Sequence, residues 1–265
     1  MKALKTIAVL NLKGGVAKTT TAVNLAYELS QHAPTLIIDA DKQGNSSEFF
    51  GQYHDNSPAA LGLVLGSKQT PTIWDAKGII FEATRPDGNM YPNLLVIPSN
   101  TSLIKANISL LLDTSTGREK RLRKFLDGMK KDPLSSVRYC IIDCAPDIDM
   151  SSINALMAAD LVLVPITLDK NARKGLAEVW EQIEASKEDN QSLIARALIT
   201  RYRPDHQSKL AEVSDLELMQ TCIRESTQKV EDSNDAGMPL SLHSKWSNAA
   251  RDYRQLAREV MGVLG

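Results

Sequence analysis

The sequence predicts an α/β protein built on a doubly wound, mostly parallel sheet with helices on both faces. Two observations predict this fold class. Short runs rich in Val, Ile and Leu recur along the chain without strict alternation of apolar and polar residues, which is typical of strands covered on both faces. Helical stretches lie between most of these runs, and strands that alternate with helices indicate a parallel sheet.

Six predicted strands follow one another along the chain. They are TIAVLN from Thr6, TLIIDA from Thr35, NLLVIP from Asn93, YCIID from Tyr139, LVLVPI from Leu161 and ARALIT from Ala195. The segments Thr19–Ser30 and Ser151–Ala159 are predicted helices. Residues 51–92 contain four prolines and scattered glycines, so we expect an excursion with short helices there, outside the sheet. No linker-like stretch divides the chain, which predicts one domain over residues 1–265.

The composition excludes several classes of protein. Of the 265 residues, 43% are hydrophobic, which is enough for a substantial core. Lys and Arg number 31 against 32 Asp and Glu, which excludes a globally basic nucleic-acid binder but leaves a local basic patch open. Three cysteines without a C-x-x-C pair argue against a disulfide framework or a zinc site. No apolar run reaches the roughly 18 residues of a membrane span, and the N-terminus lacks the features of a signal peptide, so we expect a cytoplasmic protein.

The stretch LNLKGGVAKTTTAVNLA, residues 10–26, has the residues of a phosphate-binding loop but departs from the usual pattern G-x-x-x-x-G-K-[ST]. That pattern requires glycine where this sequence has Leu12 and Ala17. A predicted strand precedes the stretch and a predicted helix follows it, so backbone N–H groups at the helix start would face a bound anion. Lys18 would reach the β- and γ-phosphates of a nucleotide, and the Thr19 hydroxyl would bind magnesium. Taken alone, the cluster is also compatible with a lysine–glycine surface turn.

Carboxylates close two of the predicted strands. Asp39 and Asp41 end the second strand, and Asp143 follows four apolar residues in a Walker B pattern. The carboxyl ends of parallel strands meet at one edge of the sheet, where ligands bind in open α/β folds. One of the first two carboxylates could hold a magnesium-bound water and the other could orient an attacking water, although either could instead cap the next helix. Asp143 would contact the magnesium shell.

The three motifs together resemble one family. KGGVAKTT at 13–20, DADKQGN at 39–45 and IIDCAPD at 141–147 are similar to the nucleotide motifs of the ParA/MinD group of deviant Walker ATPases, P-loop NTPases whose loop reads K-G-G-x-G-K-[ST]. Further similar segments, at 93–103, 154–166 and 235–261, extend the resemblance over nearly the whole chain. Within the group, the chain most resembles ParA-type partition ATPases of the short kind, which lack an N-terminal DNA-binding extension.

The resemblance implies an ATP-dependent homodimer and assigns roles to individual residues. Lys13 would reach across the dimer interface to the ATP of the partner and would be catalytic together with Lys18. Asp41 would orient the attacking water, and Asp39 would join Thr19 and Asp143 around Mg²⁺. The residues implied to bind ATP form one continuous run: Gly14, Gly15, Val16, Ala17, Lys18, Thr19 and Thr20.

Two residues depart from the family pattern. Ala17 replaces a glycine, and its methyl group would add strain if the position requires a positive φ. Lys42 replaces the proline that usually follows the residue matching Asp41. Both positions lie near the expected site of hydrolysis, so they bear on the hydrolysis rate more than on ATP binding.

Two basic sets are candidates for DNA contact. The segment 117–131 is better explained by a helix with a solvated basic face. ParA-like proteins bind DNA non-specifically through C-terminal basic residues, so the resemblance favours the second set. Its main members are Arg224, Lys245, Arg251 and Arg254. The C-terminal segment could also be a membrane anchor, as in the MinD branch, but its short apolar stripe is more typical of a helix that packs on its own domain.

The sequence therefore predicts a ParA-like ATPase of DNA partition. It would form a homodimer with ATP, bind DNA non-specifically, and hydrolyse ATP slowly until a ParB-like partner stimulates it. We expect it in the cytoplasm, on the nucleoid when ATP is bound. Three alternatives remain: the same switch could position a cell-division, chemosensory or microcompartment cargo, the protein could be a MinD-like regulator at the membrane, or it could be a metabolic enzyme of this fold.

Overall fold

A seven-stranded sheet forms the centre of the computed structural model, which describes residues 4–67, 78–131, 136–169 and 172–265. The strands lie in the order β3-β4-β2-β5-β1-β6-β7, and all are parallel except β3, which pairs antiparallel with β4. Their bounds are β1 Lys5–Val9, β2 Thr35–Ala40, β3 Phe81–Thr84, β4 Met90–Ile97, β5 Tyr139–Cys144, β6 Leu161–Ile166 and β7 Ile194–Ile199.

Helices connect the strands and cover the sheet. Their bounds are α1 Lys18–Ser30, α2 Asn45–Phe49, α3 Ala60–Gly66, α4 Leu103–Leu112, α5 Arg121–Lys131, α6 Met150–Ala158, α7 Ala172–Lys187, α8 Thr227–Asp235, α9 Leu240–His243 and α10 Asn248–Leu264. Within the described residues there are also two 3₁₀ segments, Arg118–Lys120 and Pro204–Val213. Among the described helices, none is both long and apolar enough to cross a lipid bilayer.

Apolar side chains from the central strands enter two separate layers of the core. In β1, Ile7 and Val9 pack into the layer that contains α1, α9 and α10. Ala8 packs into the opposite layer, which contains side chains of α3 to α7. Both faces of the strand are therefore buried, which is why the sequence of β1 shows no apolar–polar alternation. The prediction of a doubly wound sheet is confirmed.

All six strands predicted from the sequence are present, as are the two predicted helices. The prediction that residues 51–92 lie outside the sheet is wrong in part. α3 is a short helix as expected, but β3 forms the antiparallel edge of the sheet, and β4 already begins at Met90. β3 has only four residues and buries only Ala83 fully, so it lacks the continuous apolar run of a central strand. Residues 68–77 of this stretch lie outside the described residues.

Candidate nucleotide site

The glycine loop leaves the sheet after β1 and enters α1, which starts at Lys18. Gly15 and Ala17 both adopt left-handed conformations, with φ of 74° and 66°. Asn11 fixes the entry to the loop, because its side-chain amide donates to the carbonyl of Pro165 at 2.7 Å and its oxygen accepts from the Lys13 N–H at 2.9 Å. No side chain caps the start of α1, so its first N–H groups face the loop and favour an anion.

The positive φ of Ala17 shows that this position has the strained backbone conformation expected for a residue other than glycine. An L-residue with a side chain costs about 1–3 kcal/mol in the left-handed region, where glycine fits freely. Ala17 keeps the N–H group of the loop and precedes the first residue of α1. The substitution thus preserves the phosphate-facing backbone and stores strain within it.

Lys18 is buried and folds back over the loop. Its amine donates to the carbonyl of Lys13 at 3.0 Å. Burial lowers the pKa of Lys18, while nearby carboxylates, chiefly Asp143 and Asp41, oppose the shift. A buried ammonium group without a paired counter-ion is unfavourable, and a bound phosphate would supply the missing negative charge.

Asp39 and Asp143 lie side by side on β2 and β5, where they are register partners at the carboxyl edge of the sheet. Both are fully buried. Asp39 is satisfied by its own chain: one oxygen accepts from the N–H and hydroxyl of Ser47 at 2.8 and 2.7 Å, and the other from the N–H of Asp41 at 3.1 Å. Asp143 is not fully satisfied. Its Oδ2 accepts from the Ser46 hydroxyl at 2.6 Å, but its buried Oδ1 has no partner of normal hydrogen-bond geometry among the described residues.

Burial raises the pKa of both carboxyl groups, and the charge of Asp39 raises that of Asp143 further. The hydroxyl groups of Ser46 and Thr19 oppose the rise for Asp143, which shows that Thr19 lies close to it. Two adjacent buried carboxylates are stabilised by a cation.

The residues present fit a magnesium ion. The donor set consists of oxygen atoms, which hard divalent cations prefer, and the unpartnered Oδ1 of Asp143 is one such donor. Because Mg²⁺ keeps several water molecules and uses substrate phosphates, it needs only one or two protein carboxylates. Thr19 and Asp143 are therefore suited to hold it directly or through water, whereas Asp39, with both oxygens engaged, is better placed to support the loop.

Asp41 and Lys42 follow β2 at the same edge. Asp41 is buried, and its carboxylate accepts from the N–H of Gln43 at 2.9 Å. The amine of Lys42 lies 3.0 Å from Asp147, in the segment after β5, and this contact raises the pKa of Lys42. A proline at position 42 could not form this bridge. The departure from the family pattern thus creates an ion pair between the two loops that flank the site.

Lys13 extends from the opposite side of the loop. Its amine lies 2.5 Å from Asp169 Oδ2, and the Thr167 hydroxyl donates to the same oxygen at 2.6 Å. The side chains of Lys13 and Asp169 are 33% and 47% exposed, so the pair lies at the surface. In the single subunit, this lysine therefore contacts a carboxylate of its own chain.

Two clefts flank the glycine loop. One, of about 470 Å³, is lined by Lys13 to Val16, by Thr167 to Asp169, and by basic side chains that include Arg201, Arg203 and Lys209. The other, of about 600 Å³, is lined by Thr19, Thr20 and side chains of α2 and α8. The loop thus has open space on both sides for a ligand larger than phosphate.

The predicted DNA residues lie apart from the loop, at α10 and near it. Arg224 forms a two-point ion pair with Asp252, with contacts down to 2.6 Å, so its guanidinium already has a structural partner. Lys245, Arg251 and Arg254 cluster at the start of α10, where both arginines donate to backbone carbonyls of residues 245 and 246. Their role in DNA contact stays a prediction.

Sequence reasoning missed four residues of the site. They are Asn11, Ser46, Ser47 and Asp169. The two serines directly follow the DADKQGN motif, and hydroxyl groups placed there were a usable signal for hydrogen bonds to the strand-end carboxylates. Asp169 follows β6 and is 156 positions from Lys13, so no local pattern connects the two residues.

The chain is similar to known proteins along most of its length. The sequence model of the AAA_31 family, an AAA domain, matches residues 4–195. The chromosome partitioning protein ParA of Myxococcus xanthus is 30% identical over an alignment of 275 residues, gaps included. The alignment covers 96% of this chain and 87% of that protein.

Solved structures with adenine nucleotides share the fold. Cobyrinic acid a,c-diamide synthase from Mycobacterium smegmatis, with bound ADP and magnesium, has a TM-score of 0.77 at 26% identity and covers 97% of this chain and 94% of that one. A substituted McdA from Cyanothece, in complex with ATP, has a TM-score of 0.78 at 25% identity and covers 99% of this chain and 98% of that one.

Proposed function

Because this chain belongs to the AAA_31 family of AAA domains and, by its relatives, to the ParA-type ATPases, we propose that bound ATP and Mg²⁺ switch it between a single subunit and a homodimer. As a dimer it binds DNA non-specifically, and a ParB-like adaptor stimulates its slow hydrolysis of ATP. The protein acts in the cytoplasm, on the nucleoid when ATP is bound. All described strands belong to one sheet, which supports a single domain over residues 1–265.

One observation carries the proposal. Among the residues that the structure describes, the buried acceptor Asp143 Oδ1 has no normal hydrogen bond, and the buried Lys18 beside it forms no ion pair. Unsatisfied buried polar groups cost about 1–3 kcal/mol each, and more when charged. A magnesium–nucleotide complex would satisfy both groups, and the related structures hold such nucleotides in the same fold.

Each site residue has a task that follows from its position. The N–H groups from Gly14 to Thr20 bind the phosphates, and Lys18 neutralises their charge. Thr19 and Asp143 hold Mg²⁺, which supplies positive charge to the phosphate oxygens when bound. Asp41 orients the attacking water and accepts a hydrogen bond from it. Asp39 keeps this segment in place through Ser47 and the N–H of Asp41.

The homodimer supplies the remaining charge. Lys13 lies at the surface, and among the described residues its amine contacts Asp169 in an exposed pair that an incoming subunit can replace. Its amine would then contact the phosphates bound by the partner, so that neither subunit has a complete catalytic site alone. This arrangement explains why turnover of the single subunit should be slow.

The test measures assembly and DNA binding in three nucleotide states. Light scattering after gel filtration and co-sedimentation with duplex DNA are performed without nucleotide, with ADP, and with ATP and Mg²⁺. We expect dimers and DNA binding with ATP alone. Equal DNA binding in all three states would refute nucleotide control, and a single subunit that hydrolyses ATP at the full rate would refute the dimeric site.

A second candidate is ATP-dependent ligation of a small molecule. The observation that favours it is the similarity to cobyrinic acid a,c-diamide synthase over almost the whole chain. A phosphorylated or amidated small-molecule product, formed without DNA and without dimerisation, would support this candidate over the first.

A further inference from the structure

Between α9 and α10, the indole of Trp246 stands in solvent. Its 76% exposure is the largest among the large apolar side chains that the structure describes as exposed. Leu242 on α9 is also exposed, at 38%. An indole in this position buries little surface in the core, so any contribution of this side chain to function is through a contact at the protein surface.

One cation lies over the indole ring, and two arginines bind the backbone beside it. Lys245 Nζ lies 5.4 Å from the ring centroid of Trp246. Arg251 donates to the carbonyl of Trp246 at 2.9 Å, and Arg254 donates to the carbonyl of Lys245, also at 2.9 Å. Among the described residues, none of these three side chains forms an ion pair with a carboxylate, in contrast to Arg224. We call these four residues, Lys245, Trp246, Arg251 and Arg254, the indole patch.

The indole patch lies at the capped start of α10, a helix that also contacts α1. The Ser247 hydroxyl accepts from the N–H of Ala250 at 3.1 Å and caps α10. Farther along the same helix, the buried Tyr253 hydroxyl lies 3.3 Å from the Thr21 hydroxyl of α1. The helix that carries part of the patch therefore packs against α1, whose first residue is Lys18.

We propose that Trp246 contacts the face of a nucleobase when the protein binds DNA, while Lys245, Arg251 and Arg254 contact the neighbouring phosphates. The proposal rests on the DNA binding proposed above and identifies the surface that performs it. Stacking on an aromatic ring does not distinguish between bases, so it fits a non-specific binder. In a duplex the indole would wedge against a base step, and in a single strand it would stack on an unpaired base.

A lipid surface is the competing ligand for an exposed tryptophan among cations. The structure favours nucleic acid, because the apolar stripe of α10, which includes Leu256, Val260 and Leu264, is buried in the core. Among the described residues of α9, α10 and the turn between them, Trp246 and Leu242 are the exposed large apolar side chains, which is little apolar surface for an interfacial anchor.

The test uses the full chain with ATP and Mg²⁺, and measures binding of a labelled short duplex and of one of its strands over a series of salt concentrations. We expect Trp246→Ala to weaken binding by about five- to a hundredfold without a change in the salt dependence. Trp246→Phe should retain most of the affinity. Arg251→Ala should instead lower the slope of log K against log salt by about 0.9, because it removes a phosphate contact. Leu112→Ala, which truncates a side chain of 75% exposure on α4, is the matched control and should bind as the wild type does.

The relative affinity for the duplex and the single strand shows whether Trp246 contacts a base within duplex DNA or an unpaired base. The proposal is overturned if Trp246→Ala binds both DNAs as tightly as the wild type does, or if it changes the salt slope as Arg251→Ala does. It is also overturned if the substitution abolishes binding to phosphatidylserine vesicles and leaves DNA binding intact. Failure of the proposed function has a different signature: the wild-type protein then binds no DNA in any nucleotide state.

Discussion

The two sides of the nucleotide loop differ in how completely one subunit satisfies them. On the carboxylate side, Asp39 is fully buried and accepts hydrogen bonds from Ser47 and from the N–H of Asp41. On the lysine side, the Lys13 amine is held by an ion pair with Asp169, and both side chains are at least one-third exposed, at 33% and 47%. The carboxylate side is enclosed within the subunit, whereas the ion pair on the lysine side is exposed and could be replaced by contacts with a second subunit. We call them the enclosed side and the open side.

This difference follows from the energetics of polar groups. A buried carboxylate without partners is strongly unfavourable, so the hydrogen bonds of Asp39 form within the subunit, and Asp143 Oδ1, which has no normal partner among the described residues, is left for a bound cation. An exposed ion pair contributes only about 0–1 kcal/mol, so it can be replaced at little cost. The carboxylate side thus provides the permanent part of the site, and the lysine side provides the part that a second subunit can complete.

Lys13→Ala gives the largest expected effect, because it removes the charge that the open side offers to a partner. We expect ATP turnover to fall at least about a hundredfold, as when a single transition-state donor is lost. Binding of ATP to a single subunit should be retained, since Lys18 and the loop N–H groups are unchanged. Steady-state phosphate release and fluorescent-nucleotide titration measure the two quantities.

Lys187→Ala is the matched control for this prediction. Lys187 is 36% exposed and pairs with Glu184 at 2.6 Å, on a helix that contributes nothing to the loop. The control should hydrolyse ATP as the wild type does. Unchanged turnover and dimerisation in Lys13→Ala would exclude the trans-acting role of this lysine.

Ser47→Ala tests the enclosed side. The Ser47 hydroxyl donates to Asp39 at 2.7 Å and accepts from the N–H of Ser99 at 2.8 Å, and all three residues are buried. Removal of the hydroxyl leaves two buried groups with fewer partners, so we expect the free energy of unfolding to fall by about 1–3 kcal/mol. Urea denaturation measures it. Ser57→Ala, at an exposed position, should change stability by less than about 0.5 kcal/mol.

The carboxylates of the enclosed side could be predicted from the sequence, since their signals are local, although Ser46 and Ser47, which hydrogen-bond to them, were missed. Asp143 follows an apolar run, Asp39 ends another, and the loop lies between a strand and a helix. In a parallel sheet the carboxyl ends of the strands lie at one edge, so the strand assignments alone place these residues together. The central strands were predictable for the same reason, whereas β3, a short edge strand with one buried residue, was not.

The sequence identified Lys13 and three basic residues of the indole patch, but it could not predict the contact of Lys13 with Asp169 or the exposed position of Trp246, because these depend on the fold. Asp169 meets Lys13 across 156 positions. Arg224 belonged to the predicted DNA set, but its bidentate contact with Asp252 depends on how α10 packs. The exposure of Trp246 likewise depends on the turn between α9 and α10, which has no periodic pattern.

Ala17→Gly tests the strained link between the two sides. Glycine relieves the left-handed strain at φ 66°, but it also increases the conformational entropy of the unfolded chain. We expect a net gain in the free energy of unfolding of at most about 1 kcal/mol. Gly15→Ala is the converse substitution. Gly15 has φ 74° and no atom lies within 4 Å of the added Cβ, so the free energy of unfolding should fall by a similar amount through backbone strain alone. A destabilised Ala17→Gly would show that the strain relieved at this position is smaller than the entropic cost of glycine.

Asp169→Asn gives the smallest expected effect per subunit and tests the exchange itself. If Lys13 must leave Asp169 to reach the partner, loss of the carboxylate lowers the free energy of that step by at most the value of an exposed pair, about 1 kcal/mol. Because one such pair breaks in each of the two subunits, the Kd of the ATP-dependent dimer should fall by up to about fivefold per subunit, which is about thirtyfold for the dimer, and the gain should shrink at high salt, where the wild-type pair is screened. Analytical ultracentrifugation over a range of salt concentrations measures both. Asp189→Asn, which breaks an exposed pair with Lys120 of similar length at 2.6 Å, should leave the dimer unchanged. Weaker dimerisation of Asp169→Asn would mean that the carboxylate holds Lys13 in place within the dimer, and the open side would then be as permanent as the enclosed one.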